Sequence, residues 1–544
     1  MLILLKGGRI VDPANDRDET GDLWIEDDRI VAAPPDRRAD EVHDVSGKIV
    51  MAGAIDIHSH IAGGNVNTAR LLLPEMHRGR LPPPAGLPLS TAKWSTFETG
   101  TIYASMGFTT VIEPAIVPHQ ALQAHLELSN VPIIDKGMLT VLGNDDFLLS
   151  LLRDGEGRAA VADYVASAVA ASNGLGVKCI NAGGAAAFKY NARTFSLDDV
   201  VPFYGLTSRQ IVEALQRAVE DLQISHPLHL HANNLGISGN VTTALATIEA
   251  ARGERLHFAH LQFYSYGAEG ERGFSSAAAE LAAAVNAAPN VTVDVGQVMF
   301  RQTVTISADV LRQFNGAEMA TPKKSVIHDG DGNGGGIVPY FYRENNFASA
   351  IQWACGLELF MLIDDPWRVF FTTDHPNGAP FTTYPEIFAL IMSRDARAEA
   401  TARLPQDALA MTTLPSIARE YNLNEIAIMT RAAPAKLLGL KDRGHLGEGG
   451  LADIAVYSPG KDLANMFRFA HLVFKDGDLV VRDGRVTHYR WGRALKVNPG
   501  YDRAIDRRLA GYYDRHFGNS REMFAVNENL LPRADAFAEV ACVR

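Results

Sequence analysis

The chain has 544 residues and a formal net charge of −12, with 47% hydrophobic and 21% charged residues. This length predicts two or three domains, and the composition is typical of a globular protein rather than a disordered one. The acidic charge disfavours nucleic-acid binding, which normally needs a basic surplus. The three cysteines, Cys179, Cys355 and Cys542, indicate neither a disulfide framework nor a Cys-x-x-Cys metal pair.

The N-terminal stretch MLILLKGG is too short for the apolar region of a signal peptide. A run of about 18 apolar residues, which a membrane span would need, is not found in the sequence. Together with the scattered cysteines, these features predict a soluble, cytoplasmic protein with no membrane association.

Both ends of the chain show the pattern of β-structure. Residues 1–52 alternate apolar and polar positions between turns, and the same texture returns in 451–459 and 472–489. We therefore predict one composite β-sandwich assembled from residues 1–52 and 436–490. The last segment, 491–544, is predicted to be a C-terminal extension.

Strand-like runs alternate with helical stretches between these ends. Alanine-rich segments at 157–172 and 275–287 are two of the predicted helices. Eight predicted strands interleaved with helices indicate a (β/α)₈ TIM barrel over residues 53–435, with its active site at the carboxyl ends of the strands. The eight predicted strands are 54–60, 109–114, 132–140, 176–181, 228–234, 257–263, 291–297 and 369–376.

Two connections, 64–100 and 298–340, are unusually long, and loops of this length are usually functional covers or surface excursions. The second contains the glycine-rich HDGDGNGGGIVP. This run lacks a following Lys-Ser or Lys-Thr and does not join a strand to a helix, which disfavours a phosphate-binding loop. We predict a flexible cover over the barrel mouth.

Histidines near the strand ends predict a metal site. His58 and His60 form a His-x-His pair whose side chains share one face of a strand. His231 and His260 are candidates for a second ion, and His229 and His257 are the alternatives. We favour the later histidine of each pair because it lies nearer the end of its strand. Imidazole and carboxylate ligands favour zinc.

Lys178 and Asp374 complete the candidate site. Burial beside two metal ions would keep the Lys178 amine neutral, and a neutral amine can react with carbon dioxide to give a carbamate that bridges the ions. The alternative is a strand lysine that reaches the surface or pairs with an acid. Asp374 could contact a metal, take a proton from the attacking water and pass it to a leaving nitrogen. The alternative is an aspartate that caps a strand end. Cys179 faces away from Lys178 and is interpreted as core packing.

Several long stretches of the sequence resemble the amidohydrolase superfamily. The resemblance is closer to one branch, the A subunit of formylmethanofuran dehydrogenase and its bacterial counterpart in the formyltransferase/hydrolase complex. It is carried by DIHSHIAGGNVN (56–67), HLHANNLGISGN (229–240), AHLQFYSYG (259–267), DVGQV (294–298), LELFMLIDDP (357–366), TTDHPNGAPFTTYP (372–385) and KLLGLKDRGHLGEGGLADIAVY (436–457).

The resemblance implies hydrolysis of an N-formylmethanofuran-type substrate to formate and the free amine, or the reverse condensation. It also implies two Zn²⁺ bridged by N6-carboxylated Lys178, with Asp374 as acid–base. The implied metal ligands are His58, His60, Lys178, His231, His260 and Asp374. The implied partners are the other subunits of a formyltransferase/hydrolase complex. The alanine-rich, compact sequence favours this bacterial form over the archaeal dehydrogenase.

Two other functions remain open at this stage. One is hydrolysis of cyclic amides of the hydantoinase kind with the same six residues, and the other is a non-catalytic scaffold. Arg70, His77, Arg78 and Arg80 could form a basic rim that attracts an anionic substrate, or simply a solvated loop. The tyrosine- and arginine-rich stretch 499–525 could pack on a partner protein or form a surface helix on its own chain.

Overall fold

The computed structural model describes residues 1–73, 95–190, 192, 194–251, 253–305, 338–532 and 536–542. None of the helices in these ranges is long and apolar enough to cross a membrane. The strands are β1 Leu2–Asp12, β2 Arg17–Glu26, β3 Arg29–Val31, β4 Glu41–Asp44, β5 Ile49–Ala52, β6 Ala54–Asp56, β7 Phe108–Ile116, β8 Asp135–Leu142, β9 Gly176–Ile180, β10 Leu228–His231, β11 Leu256–Phe258, β12 Tyr266–Gly267, β13 Ser275–Ser276, β14 Val291–Asp294, β15 Gln302–Thr305, β16 Val338–Phe341, β17 Val369–Phe370, β18 Ile454–Tyr457, β19 Leu472–Lys475, β20 Asp478–Arg482, β21 Arg485–Val486, β22 Ala494–Lys496 and β23 Phe537–Glu539.

The α-helices of the described residues cover the outside of the barrel and fill the connections. They are α1 Gly63–Leu72, α2 Thr96–Ser105, α3 Ala121–Leu128, α4 Asp146–Arg153, α5 Arg158–Ser172, α6 Gly184–Lys189, α7 Ser208–Asp221, α8 Val241–Ala250, α9 Ala278–Ala287, α10 Phe347–Leu362, α11 Tyr384–Met392, α12 Arg394–Thr401, α13 Gln406–Leu409, α14 Leu423–Ala427, α15 Ala433–Leu438, α16 Leu463–Arg468 and α17 Ala504–Phe517.

Eight parallel strands form the barrel in the order β6, β7, β8, β9, β10, β11, β14 and β17. The barrel closes just beyond the first and last strands, where Ser59 forms a parallel bridge with His375. There the His60 backbone N–H donates to the His375 carbonyl over 2.9 Å. All eight predicted strands coincide with these barrel strands, so the predicted (β/α)₈ architecture is confirmed.

Five predicted strands extend at least three residues beyond the carboxyl ends of the strands that form, and they are 54–60, 228–234, 257–263, 291–297 and 369–376. β10 ends at His231 and β14 at Asp294. β6 ends at Asp56, β11 at Phe258 and β17 at Phe370. His260 and Asp374 adopt left-handed backbone conformations, with φ of 34° and 51°, which a strand ladder cannot contain. Most candidate ligands therefore lie on turns just past the strands rather than within them.

The two long connections contain more regular structure than predicted. The segment 64–100 includes most of α1 and the first half of α2, and in 298–340 the strands β15 and β16 pair antiparallel. Most of the glycine-rich run lies outside the described residues, as do His77, Arg78 and Arg80 of the predicted basic rim.

The N- and C-terminal β-segments join in one sheet with the order β21, β20, β19, β18, β5, β1, β2 and β3, with β4 beside β1. β18 pairs antiparallel with β5 and so connects strands from the two ends of the chain. The sheet has its own apolar core, which includes Ile10, Ile25, Ile454 and Phe474. The prediction that both ends of the chain build one β-domain is confirmed.

The C-terminal extension packs on its own chain. β22 pairs parallel with the start of β8, and β23 pairs with β22. Ile505 and Leu509 of α17 are buried, and the Ser167 hydroxyl of α5 donates to Asp506 over 2.9 Å. The structure thus agrees with the surface-helix interpretation of 499–525.

Candidate active site

The six predicted site residues come from five barrel strands and meet at the carboxyl end of the barrel. They are His58 and His60 after β6, Lys178 in β9, His231 at the end of β10, His260 after β11 and Asp374 after β17. Five of these six side chains are at most 5% exposed, and His231 is partly buried. A shared position at this face is where a barrel of this type holds its reacting groups.

The His-x-His pair is fixed by hydrogen bonds on both sides. Asp56 accepts from the His58 backbone N–H over 3.0 Å, and the Thr372 hydroxyl donates to the His58 carbonyl over 2.6 Å. His60 Nδ1 lies 2.8 Å from Glu113 Oε1. These contacts leave His58 Nε2 and His60 Nε2 at 3.1 and 3.4 Å from Asp374 Oδ1.

His231 and His260 form a second pair. His260 Nε2 lies 3.0 Å from His231 Nδ1, and the ring of Tyr264 stacks on His260 with a centroid distance of 5.7 Å. The His260 backbone N–H donates to Asp294 Oδ1 over 2.7 Å. The later histidines of the two predicted pairs are therefore the ones that face each other at the mouth.

The earlier histidines of those pairs lie deeper in the barrel. His229 pairs in register with Lys178 and with His257 across neighbouring strands. His229 Nε2 lies 3.0 Å from His58 Nδ1, and His257 Nε2 lies 3.0 Å from Asp294 Oδ2. His257 is fully buried and is a partner of Asp294.

Lys178 is 1% exposed, and it makes no ion pair with a carboxylate in the described part of the chain. Burial lowers the pKa of Lys178 to about 8, although the negative charges of Asp294 and Asp374 oppose this shift. A buried amine of this kind is far easier to deprotonate than an exposed lysine.

Asp374 is oriented by its neighbours. Asn377 Nδ2 donates to Asp374 Oδ2 over 2.9 Å, and the Asp374 backbone N–H donates to Thr372 Oγ1 over 3.0 Å. Burial by itself raises the pKa of Asp374, but the positive charge of His58 and His260 outweighs it and holds this pKa well below its usual value. The other oxygen, Oδ1, faces the His-x-His pair.

The donor set fits a metal ion. Four buried atoms of the candidate ligands have no hydrogen-bond partner among the described residues: His58 Nε2, His231 Nε2, His260 Nδ1 and Asp374 Oδ1. Buried polar atoms of this kind are normally satisfied, so a group of them at one barrel mouth indicates a ligand-binding site. Atoms of His58, His60 and Asp374 lie within 4.8 Å of one another, and imidazole and carboxylate are ligands that zinc accepts.

Two supporting acids were missed by the sequence analysis. Glu113 accepts from His60, and Asp294 Oδ2 lies 2.9 Å from His58 Nδ1. Both carboxylates are fully buried within barrel strands. A signal was available, because each is an acid inside an apolar run, TTVIEP or VTVD, where burial requires a partner.

Comparison with known proteins identifies the family to which the chain belongs. The sequence profile described as "Amidohydrolase family" matches residues 41–488. The chain belongs to the amidohydrolase family and is by class a metal-dependent hydrolase.

Two curated relatives match over nearly their whole length. The A subunit of the formyltransferase/hydrolase complex Fhc of Methylorubrum extorquens is 50% identical over 548 residues, covering 100% of both chains. Protein FwdA of Methanocaldococcus jannaschii is 36% identical, covering 99% of this chain and 98% of its own. The crystal structure of the complex FhcABCD from Methylorubrum extorquens with methylofuran contains a chain 50% identical to this one, with a TM-score of 0.95 and full coverage of both chains.

Proposed function

We propose that this protein is the hydrolase subunit of a formyltransferase/hydrolase complex and that it cleaves the formamide bond of a formylated methanofuran-type substrate. The observation that carries this proposal is the convergence of His58, His60, Lys178, His231, His260 and Asp374 at one barrel mouth. The full-length similarity to the A subunit of the Fhc complex supports the choice of substrate class and of partners.

The proposed cofactor is a pair of zinc ions. His58 and His60 would hold one ion and His231 and His260 the other, with Asp374 contacting one of them. When bound, the ions would lower the pKa of water and polarise the formyl carbonyl. The four orphaned donor atoms at the mouth support this assignment.

Lys178 is proposed to be carboxylated and to bridge the two ions. Its amine is buried without an ion-pair partner in the described residues, and its lowered pKa of about 8 makes the neutral form accessible. The neutral amine can attack the carbon of carbon dioxide and release one proton, which gives a carbamate whose two oxygens could bind metal. A protonated lysine has no lone pair for zinc, whereas the carbamate would offer two oxygen ligands.

Asp374 is proposed to carry the proton between the two halves of the reaction. Asn377 holds Oδ2, whereas Oδ1 faces His58 and His60 without a hydrogen bond in the described residues, so Oδ1 is the oxygen proposed to accept the proton of the attacking water. As the C–N bond breaks, the same oxygen returns that proton to the leaving nitrogen. The products are formate and the free amine, and the carboxylate is restored.

The test is formate release from N-formylmethanofuran by the purified protein with its co-purifying partner chains and zinc. Asp374→Asn keeps the size of the side chain but removes the proton acceptor, so we expect the rate to fall at least about 100-fold, within the range typical of acid–base catalysts. The matched control is Asp36→Asn, because Asp36 is exposed in the loop after β3.

Formate release at an unchanged rate in Asp374→Asn would refute the role of Asp374 as proton carrier. No release by the wild-type complex with two zinc ions bound would refute the substrate, and hydantoin and dihydrouracil would then be assayed as cyclic alternatives.

A further inference from the structure

We infer that Asn377 and Thr305 form a two-step positioning chain that fixes the reacting oxygen of Asp374. Asn377 follows Asp374 by three residues, and its Nδ2 donates to Asp374 Oδ2 over 2.9 Å. The Thr305 hydroxyl, at the end of β15, donates to Asn377 Oδ1 over 2.5 Å. This inference rests on the proposed role of Asp374.

The Asp374 carboxylate decides which way the Asn377 amide points, because it can only accept a hydrogen bond. Nδ2 must therefore face Asp374 and Oδ1 must face Thr305, whose hydroxyl donates to Oδ1 and holds the amide in place. Asn377 is 3% exposed and Thr305 is fully buried, so water does not compete for these bonds. These two hydrogen bonds therefore hold Oδ2 of Asp374 and leave Oδ1 without a hydrogen bond in the described residues.

The backbone around Asp374 makes this support necessary. Asp374 has a left-handed φ of 51°, and the Asn377 backbone N–H returns to the Asp374 carbonyl over 2.6 Å in a tight turn. A carboxylate on such a turn has two equivalent oxygens and can rotate about its last bond. A donor on Oδ2 removes this equivalence. Thr305 of β15 in turn holds that donor, the Asn377 amide.

The first measurement is steady-state kinetics of formamide hydrolysis by the assembled complex. For Asn377→Ala we expect kcat to fall about 10- to 100-fold, the size of effect seen when an outer partner of a site residue is removed, with KM nearly unchanged. Thr305→Val should lower kcat by a smaller factor, and Thr305→Ser should restore it because the hydroxyl returns. Thr247→Val is the control, since Thr247 is also buried but its hydroxyl bonds a helix carbonyl in α8.

The double variant Asn377→Ala/Thr305→Val distinguishes a positioning role from a general loss of structure. If Thr305 acts only through Asn377, kcat of the double variant is no lower than that of Asn377→Ala. If the two substitutions act independently, their fold-reductions in kcat multiply. A crystal structure of Asn377→Ala with its zinc content matched to wild type should show the Asp374 carboxylate rotated.

The inference is overturned by multiplicative losses, by a raised KM with an unchanged kcat, or by an Asp374 carboxylate that keeps its orientation. The orientation readout needs no turnover, so it distinguishes failure of this inference from failure of the proposed substrate.

Discussion

Glu113 gives the sharpest test of how the metal site is supported. Its carboxylate accepts four hydrogen bonds at the carboxyl end of β7. Oε1 receives His60 Nδ1 at 2.8 Å and the Ala115 N–H at 3.2 Å, and Oε2 receives the backbone N–H groups of Ile61 and Ala62 at 2.7 and 3.1 Å. One side chain thus fixes both the orientation of His60 and the turn that follows it.

Glu113→Gln preserves the volume but replaces one acceptor oxygen with an NH₂ donor. Whichever way the amide is oriented, two of the four donors then face an N–H group. Two buried unsatisfied donors cost about 1–3 kcal/mol each in stability. If His60 loses its partner, zinc affinity should fall about 10- to 100-fold, which corresponds to about 1.4–2.7 kcal/mol.

The assay is zinc affinity of the purified protein by competition with a chelator, together with the free energy of unfolding. Glu127→Gln is the matched control, because Glu127 also accepts a backbone N–H, that of Gly63 at 2.8 Å, but none of its hydrogen bonds within the described ranges involves a histidine. We expect the control to keep wild-type zinc affinity. Because one orientation of the glutamine amide could keep the contact with His60, Glu113→Ala, which removes both oxygens, is measured beside it. Wild-type zinc affinity in both variants would refute the argument that this carboxylate orients a ligand.

Two further changes test the site and the fold. Lys178→Ala should abolish zinc retention and formate release, with partial rescue by short-chain carboxylic acids, and full activity without any acid would contradict the bridging role. Lys475→Met should lower the free energy of unfolding by about 3–5 kcal/mol, measured by urea denaturation, because buried Lys475 contacts the carboxylates of Asp135, Asp453 and Asp476 within 3.1 Å. Burial raises the pKa of Asp135, but the positive charges of Lys475 and Arg443 and the hydrogen bonds to this carboxylate together lower it. The wild-type advantage is therefore full above about pH 4 and should shrink as pH falls further. An unchanged urea midpoint would contradict this account.

The sequence by itself predicted the barrel and most of the candidate site residues at the carboxyl ends of its strands. Strands buried on both faces read as apolar runs, and a histidine, lysine or aspartate at the end of such a run is conspicuous. That pattern located His58, His60, Lys178 and Asp374 without any knowledge of their neighbours. It also joined residues 1–52 to the C-terminal β-segment, since neither could form a covered sheet alone.

The sequence already favoured the later histidine of each pair, but only the tertiary structure established the depth of each ring in the barrel and its hydrogen-bond partners. His229 and His231 share one strand face, and barrel closure places the first in the interior and the second at the mouth. His58 meets Asp294 from 236 positions away, and Asp374 gains its orientation from Thr305 through Asn377. The observed strands also end earlier than predicted, because the turns that carry the ligands interrupt the hydrogen-bond ladder. Local patterns fix which residues can do chemistry, but their distances depend on how eight strands close, and that is a property of the whole fold.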